Sequence, residues 1–322
     1  MRSIIFASLT TSGEFYSLLC ALIWAVAVIM FTSLGRETPP LVLNLFKGTV
    51  AMILLPPTLV VLGTPFVPTN LAWTDWAQLI LSGIIGISIA DSLFFASLNR
   101  LGAGRSAIVD CLYAPLVVLC GWLFLSDPVG WKILMAVALM VSAIFIGTWD
   151  PKADPARSDP AQTRAGIALG ALAMLLMAIG IVIAKPVLNR SDLLWATLVR
   201  VAGATAFLGL GALHPRWRAA TRRTFTPGRH WPLLFAAGFV GTYLAMITWL
   251  AGMKYTTVSV SSILNQTSTL IVPLLAAVFL RERLTWRKIV AVSMGFAGVV
   301  VLNVDLAQAW AWITGLAHWL TV

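Results

Sequence analysis

The chain has 322 residues, of which 59% are hydrophobic and only 11% are charged, and its mean hydropathy is +0.91. A soluble domain of this length could not keep so apolar a surface in water, so the composition excludes a soluble globular protein and predicts a polytopic membrane protein. The formal net charge of +10 would suit nucleic acid, but the basic residues are distributed as membrane topology requires. We therefore expect the lipid bilayer as a partner and no nucleic acid.

Ten apolar stretches follow one another, each about as long as the ~20 residues that cross a ~30 Å hydrocarbon core. They cover residues 16–34, 41–62, 77–98, 106–125, 131–148, 165–185, 193–213, 232–252, 257–280 and 289–304. The segment 305–322 is apolar and rich in tryptophan but barely reaches spanning length, which favours a helix lying in the membrane interface. The pattern predicts an all-α protein with ten transmembrane helices.

The last five spans repeat the pattern of the first five. Lys47 aligns with Arg200 at a shift of 153 residues, and Gly83 and Gly86 align with Gly238 and Gly241 at a shift of 155. Apolar helices can align by chance, but two separate blocks of residues that align at nearly the same shift make duplication a better explanation than chance. Because five is odd, the second copy must be inverted relative to the first, as alternating access requires. We predict repeats over 13–148 and 165–304, joined by a linker over 149–164.

Most basic residues lie in the loops that follow odd-numbered spans. Those loops hold fifteen Lys and Arg residues, the opposite side holds five, and Lys47 and Arg200 lie inside spans. The positive-inside rule then puts the odd loops in the cytoplasm and both termini outside.

Four ionisable residues lie near the middle of predicted spans: Lys47, Asp91, Asp110 and Arg200. Charged groups inside a bilayer are costly and rare, so each is a candidate for function. Two acids and two bases also allow structural ion pairs, and Lys47 lies close enough to a span end to reach the interface instead.

Polar stripes indicate which helix faces line a cavity. Ser88, Asp91 and Ser92 share one face of the third span, while Gly83, Gly86 and Ala90 form an opposite face suited to close helix packing. We expect Asp91 to serve transport rather than folding, the alternative being a structural ion pair.

The ninth span is unusually polar and contains Asn265 and Gln266, with Asn265 at the repeat position of Asp110. We assign Asn265 to the substrate cavity and Gln266 to a bond with a neighbouring helix. Trp24, Tyr113, Tyr243 and Trp249 are candidates for aromatic walls, although aromatic residues in membrane helices commonly pack or face lipid. Pro115 and Pro273 predict kinks in the fourth and ninth spans.

Enzyme motifs are absent from the sequence. There is no HExxH, P-loop or Gly-x-Ser-x-Gly pattern, and the three histidines lie in loops or the tail. We expect no enzymatic activity, no metal and no cofactor, and energy from an ion gradient or from exchange.

Several blocks resemble EamA-type carriers of the drug/metabolite transporter superfamily. They are Ala90-Asp91-Ser92-Leu93-Phe94-Phe95, Leu101-Gly102-Ala103, Tyr113-Ala114-Pro115, 249–255, 263–267 and 280–285. The resemblance covers 13–304 and implies ten helices in two inverted halves around a central cavity, with export or exchange of amino acids and other small metabolites. The chain departs from the family at Ser126-Asp127-Pro128, where an acidic turn is usual, and at Lys47, where arginine is frequent. Some members keep both termini in the cytoplasm, opposite to the charge count.

These observations together predict a secondary active transporter of a small polar or zwitterionic metabolite in a bacterial inner membrane, monomeric or homodimeric. Asp91 and Asp110 would bind a cation or couple protons, and Arg200 and Lys47 would meet a carboxylate. The alternative is a flippase for a lipid or lipid-linked headgroup. A membrane scaffold or sensor is disfavoured because so many polar groups lie inside spans.

Overall fold

The computed structural model describes residues 12–68, 71–148, 160–280 and 286–303, and every regular element within them is helical. The predicted interfacial helix at 305–322 lies outside these residues, as do 149–159 of the predicted linker. The helices are α1 Gly13–Leu34, α2 Pro40–Leu62, α3 Trp73–Gly83, α4 Ala90–Asp110, α5 Tyr113–Leu125, α6 Trp131–Thr148, α7 Pro160–Arg190, α8 Leu193–Ala212, α9 Pro215–Phe225, α10 Trp231–Gly238, α11 Ala245–Tyr255, α12 Val258–Asn265, α13 Ser268–Phe279 and α14 Trp286–Asn303. Two π-helical segments, π1 Ile84–Ile89 and π2 Phe239–Leu244, join α3 to α4 and α10 to α11.

Within the described residues, seven helical stretches are long and apolar enough to cross a membrane, and two shorter apolar helices cover Tyr113–Leu125 and Trp131–Ala143. One long stretch, Trp73–Ala107, joins the predicted third span to the start of the fourth. The backbone at Gly102 is not helical (φ 77°, ψ 171°), so two helices meet at a kink within this stretch. With seven stretches of full spanning length in the described residues, the count of ten spans stays a prediction. Helix α7 begins at Pro160, so the last residues of the predicted linker are helical.

Irregular backbone occurs at matching positions in the two halves. The π segments start at Ile84 and Phe239, a shift of 155 residues. The predicted fourth and ninth spans are each interrupted, after Asp110 and after Asn265, again 155 residues apart. These breaks come before Pro115 and Pro273 rather than at them. Pro115 is the third residue of α5, where the missing N–H has no intrahelical partner to lose.

Polar contacts join helix ends and loops at two separate ends of the bundle. At one end Glu37 lies 3.7 Å from His230, and the Ser97 hydroxyl donates to the Gly166 carbonyl at 2.7 Å. At the other end Asp75 pairs with Arg190. There the Lys185 ammonium also donates to the carbonyls of Met253 and Thr256.

The main apolar core is built largely from α1, α2, α4 and α7, and small residues allow close helix crossings beside it. A Cβ on Gly180 of α7 would lie only 2.8 Å from the Cα of Gly86. A Cβ on Gly83 would overlap the backbone of Arg200, and Ala90 is fully buried. The predicted packing role of these three residues of the third span is confirmed.

Candidate functional site

A cavity lies at the centre of the bundle, with about 720 Å³ of space free of protein atoms, its mouth included. Seven of the ten predicted site residues line it, namely Trp24, Lys47, Asp91, Asp110, Tyr113, Asn265 and Gln266. The three that do not are Ser92, Arg200 and Tyr243.

Lys47 of α2 and Asp91 of α4 form an ion pair at the cavity wall. Both residues are buried, with 1% and 5% of their surface exposed, so Lys47 does not reach towards the interface. The ammonium also lies 5.4 Å from the ring centre of Phe95. The sequence allowed two ion pairs among Lys47, Asp91, Asp110 and Arg200. In the described residues only Lys47 and Asp91 form one.

Asp110 is the last residue of α4, and its carboxylate reaches the cavity from the break between α4 and α5. No hydrogen bond or ion pair to its carboxylate is found in the described part of the chain. Its backbone carbonyl accepts a hydrogen bond from Gln266 Nε2 at 3.1 Å. Nearby, the Cys111 thiol lies 3.4 Å from Thr269 Oγ1. The two helix breaks are thus joined across the cavity.

Arg200 of α8 is buried directly behind the cavity wall, with 1% of its surface exposed. Its guanidinium carbon lies 5.3 Å from the ring centre of Trp249, and a Cβ on Gly86 would be 3.5 Å from its Nη2. Its Nε and Nη1 have no hydrogen-bond partner, and no carboxylate in the described ranges pairs with it. A buried cation without a directly paired carboxylate is costly in a membrane protein.

Asn265 and Gln266 lie at the break between α12 and α13, and both are buried. Asn265 Nδ2 donates weakly to Ser261 Oγ at 3.4 Å. Because a backbone carbonyl can only accept, Gln266 must present its amide nitrogen to Asp110, which leaves Oε1 without a partner. The side-chain oxygens of both residues are unsatisfied.

The aromatic candidates separate into two groups. Trp24 and Tyr113 line the cavity, and the buried Tyr113 hydroxyl has no hydrogen bond of good geometry. Tyr243 is not among the residues that line this cavity; its hydroxyl lies 2.7 Å from Thr58 Oγ1 on α2 and its ring stacks on Phe239.

Ser92 is also displaced from the predicted site. Its hydroxyl donates to the Ser88 carbonyl at 2.6 Å and accepts from Asn44 Nδ2 at 2.9 Å. The Ser92 hydroxyl therefore has both a donor and an acceptor between α2 and α4 and does not line the cavity.

Sequence reasoning missed several apolar lining residues. Met246 and Gly241 line the cavity and lie 155 residues after Asp91 and Gly86, so applying the repeat shift to each candidate would have found them. Trp249, an aromatic candidate from the sequence, lines the cavity as well. In the described residues, no three His, Cys, Asp or Glu side chains lie close enough together to hold a metal ion.

The family profile of the EamA-like transporters matches two parts of the chain, residues 11–149 and 164–304. The chain belongs to the EamA-like transporter family. It is therefore a multi-pass membrane transporter rather than an enzyme, and the two matches confirm both the internal duplication and the resemblance seen in the sequence.

Individual relatives agree with this family membership. The chain is 24% identical to Protein PecM of Dickeya dadantii over 286 residues, which covers 87% of this chain and 89% of PecM. It is 35% identical to an uncharacterized transporter of Archaeoglobus fulgidus over 72 residues, 22% of this chain and 26% of that protein. A protein of known crystal structure has the same fold with a TM-score of 0.71 at 16% identity, over 90% of this chain and 96% of that one.

Proposed function

We propose that this protein is a secondary active transporter that exports or exchanges a small zwitterionic, amino-acid-like metabolite across a bacterial inner membrane. In this proposal ten transmembrane helices form two inverted repeats, and the substrate binds in the central cavity at their interface.

The observation that carries the proposal is the Asp110 carboxylate, which has no partner within the described residues and faces the cavity, with the Arg200 guanidinium behind the cavity wall. The Asp110 carboxylate faces the cavity from the α4–α5 break, and the Arg200 guanidinium lies behind Gly86 and Trp249. A zwitterion would bring an ammonium group to Asp110 and a carboxylate towards Arg200. The Asp110 carboxylate would then gain a charge-assisted hydrogen bond, and the substrate carboxylate would lie on the side of the cavity nearest the Arg200 charge, in a site of low dielectric constant.

Polar groups around Asp110 favour an amine at that end. The unsatisfied oxygens of Gln266 and Asn265 and the Tyr113 hydroxyl line the same cavity. An ammonium group has three donors and no acceptor, so it can satisfy several such oxygens at once. Protons are the candidate coupling ion, and the Asp110 carboxylate is the group that would bind them.

Two features support alternating access. Interrupted helices at matching positions of two repeats are typical of carriers whose substrate site lies near the bilayer midplane. Polar contacts join the helix ends and loops on the two sides of the bundle separately. Such an arrangement allows one repeat to rock against the other around a fixed site.

The test is counterflow in proteoliposomes with matched compounds: a neutral amino acid, the amine lacking its carboxylate, and the carboxylic acid lacking its amine. The zwitterion should exchange, and the two analogues should not. Asp110→Asn should abolish exchange with little change in melting temperature. Exchange of the amine or the acid alone at the same rate would refute the zwitterion, and flipping of a fluorescent lipid would favour the flippase instead.

A further inference from the structure

Helix α9 and the loops beside it form a strongly basic segment. The chain between α8 and α10 contains five arginines and no aspartate or glutamate. Four of these arginines lie on α9 and all four are exposed; they are Arg216, Arg218, Arg222 and Arg223. We call this set the α9 arginines.

The opposite face of α9 is anchored to the bundle. Thr224 is buried, and its carbonyl accepts a hydrogen bond from Trp231 Nε1 at 3.0 Å. The Phe225 ring centre lies 5.1 Å from that of Phe46 on α2. The helix is therefore held in place with its arginines directed away from the protein.

The α9 arginines have no acidic partner in the described part of the chain. Arg218 and Arg222 are four residues apart on one exposed face, a spacing at which like charges destabilise a helix. Arg216 lies over the Trp217 ring at 5.1 Å, which does not neutralise it. A fixed helix with this charge pattern needs counter-ions from outside the protein.

The surface beside α9 is apolar and exposed. The last turns of α8 present Phe207, Leu210 and Leu213, which are 44%, 69% and 62% exposed. In a membrane-spanning protein such a surface faces acyl chains, and α9 follows it directly in the chain. Acyl chains along α8 would bring their headgroups to the level of the α9 arginines.

We propose that α9 is a binding site for the headgroups of anionic phospholipids in the leaflet at this end of the bundle. Guanidinium groups bind phosphate oxygens in a bidentate geometry. A basic side chain near an anionic surface strengthens attachment about fivefold, so Arg218 and Arg222 together account for roughly 30-fold. The site lies outside the cavity and does not depend on the transported substrate.

The experiment measures the melting temperature of the purified protein in detergent during titration with phosphatidylglycerol or phosphatidylcholine. Phosphatidylglycerol should stabilise the native protein at lower concentration than phosphatidylcholine does. Arg218→Gln with Arg222→Gln should need about 30-fold more phosphatidylglycerol for the same rise. The matched control, Arg100→Gln with Arg105→Gln, removes the same charge from the same end of the bundle but outside α9; because Arg100 already donates to the Ala96 carbonyl, this pair should lose much less of the phosphatidylglycerol response.

Three results would overturn the proposal: equal stabilisation by both lipids, an unchanged response of the glutamine pair, or an equal loss in the control pair. If the glutamine pair does not fold, Arg218→Lys with Arg222→Lys keeps the charge and serves instead. That variant should retain the phosphatidylglycerol response and lose it in about 0.5 M NaCl, where screening is strong. A response that persists in this salt would equally contradict a headgroup site.

Discussion

The Lys47–Asp91 ion pair changes the role expected for Asp91. The polar stripe favoured a group that acts in transport, with a structural pair as the alternative. Both side chains are buried and bonded to each other, and such a pair is strongly destabilised when one partner is removed. The contacts therefore favour a part for Asp91 in stability as well.

Asp91→Asn should lower the stability of the protein by about 3–5 kcal/mol, because the Lys47 ammonium would remain buried without its counter-ion. The measurement is thermal melting in detergent. Lys47→Met with Asp91→Leu removes both charges together and should recover most of the loss. If the Asp91→Asn protein has the melting temperature of the native protein but does not transport, then Asp91 acts in transport and not in stability.

Asn265 and Gln266 are adjacent, but we expect replacement of Asn265 to affect transport and replacement of Gln266 to affect stability. Gln266→Ala removes the hydrogen bond to the Asp110 carbonyl and should cost about 1 kcal/mol, seen as a lower melting temperature. Asn265→Ala removes a cavity amide held only weakly at 3.4 Å, so it should raise the apparent KM or abolish transport with little change in melting. The opposite pattern in the two variants would show that the helix is rotated from this assignment.

At the scale of the elements, the contact between α7 and π1 is a close crossing that the small residues of the third span indicated. The small residues predicted to pack do so against backbone rather than side chains. Backbone cannot move aside as a flexible side chain can, so this crossing tolerates no added methyl group.

Gly180→Ala should destabilise the protein by about 1–3 kcal/mol through overpacking, since the new Cβ would meet the Gly86 Cα at 2.8 Å. Gly209→Ala in α8 is the matched control, because nothing lies within 4 Å of a Cβ at that position. There the substitution should be neutral or stabilise the helix by up to about 1 kcal/mol. Equal melting temperatures for the two variants would contradict the close crossing.

The orientation of the whole molecule follows from its charge distribution. With fifteen basic residues in the odd loops against five on the other side, the end that contains α9 should face the cytoplasm. The contacts between loops support two separate ends but carry no information on which one is inside.

In a variant lacking the native cysteines, Arg229→Cys should resist a membrane-impermeant thiol reagent in intact cells, and Val67→Cys should react. The two positions are both exposed but follow an odd- and an even-numbered span. Labelling of Arg229→Cys and protection of Val67→Cys would reverse the topology and agree with relatives whose termini are cytoplasmic.

The sequence by itself determined that this protein is a duplicated membrane transporter of the EamA-like family. Hydropathy, the repeat shift and the family motifs are properties of the linear chain, and they also drew attention to Asp110 and Asn265. Only the tertiary structure decided which charges pair, because distances between side chains on different helices are not encoded in the periodicity of any one helix. It joined Lys47 to Asp91, left Arg200 without a partner and turned Tyr243 towards Thr58.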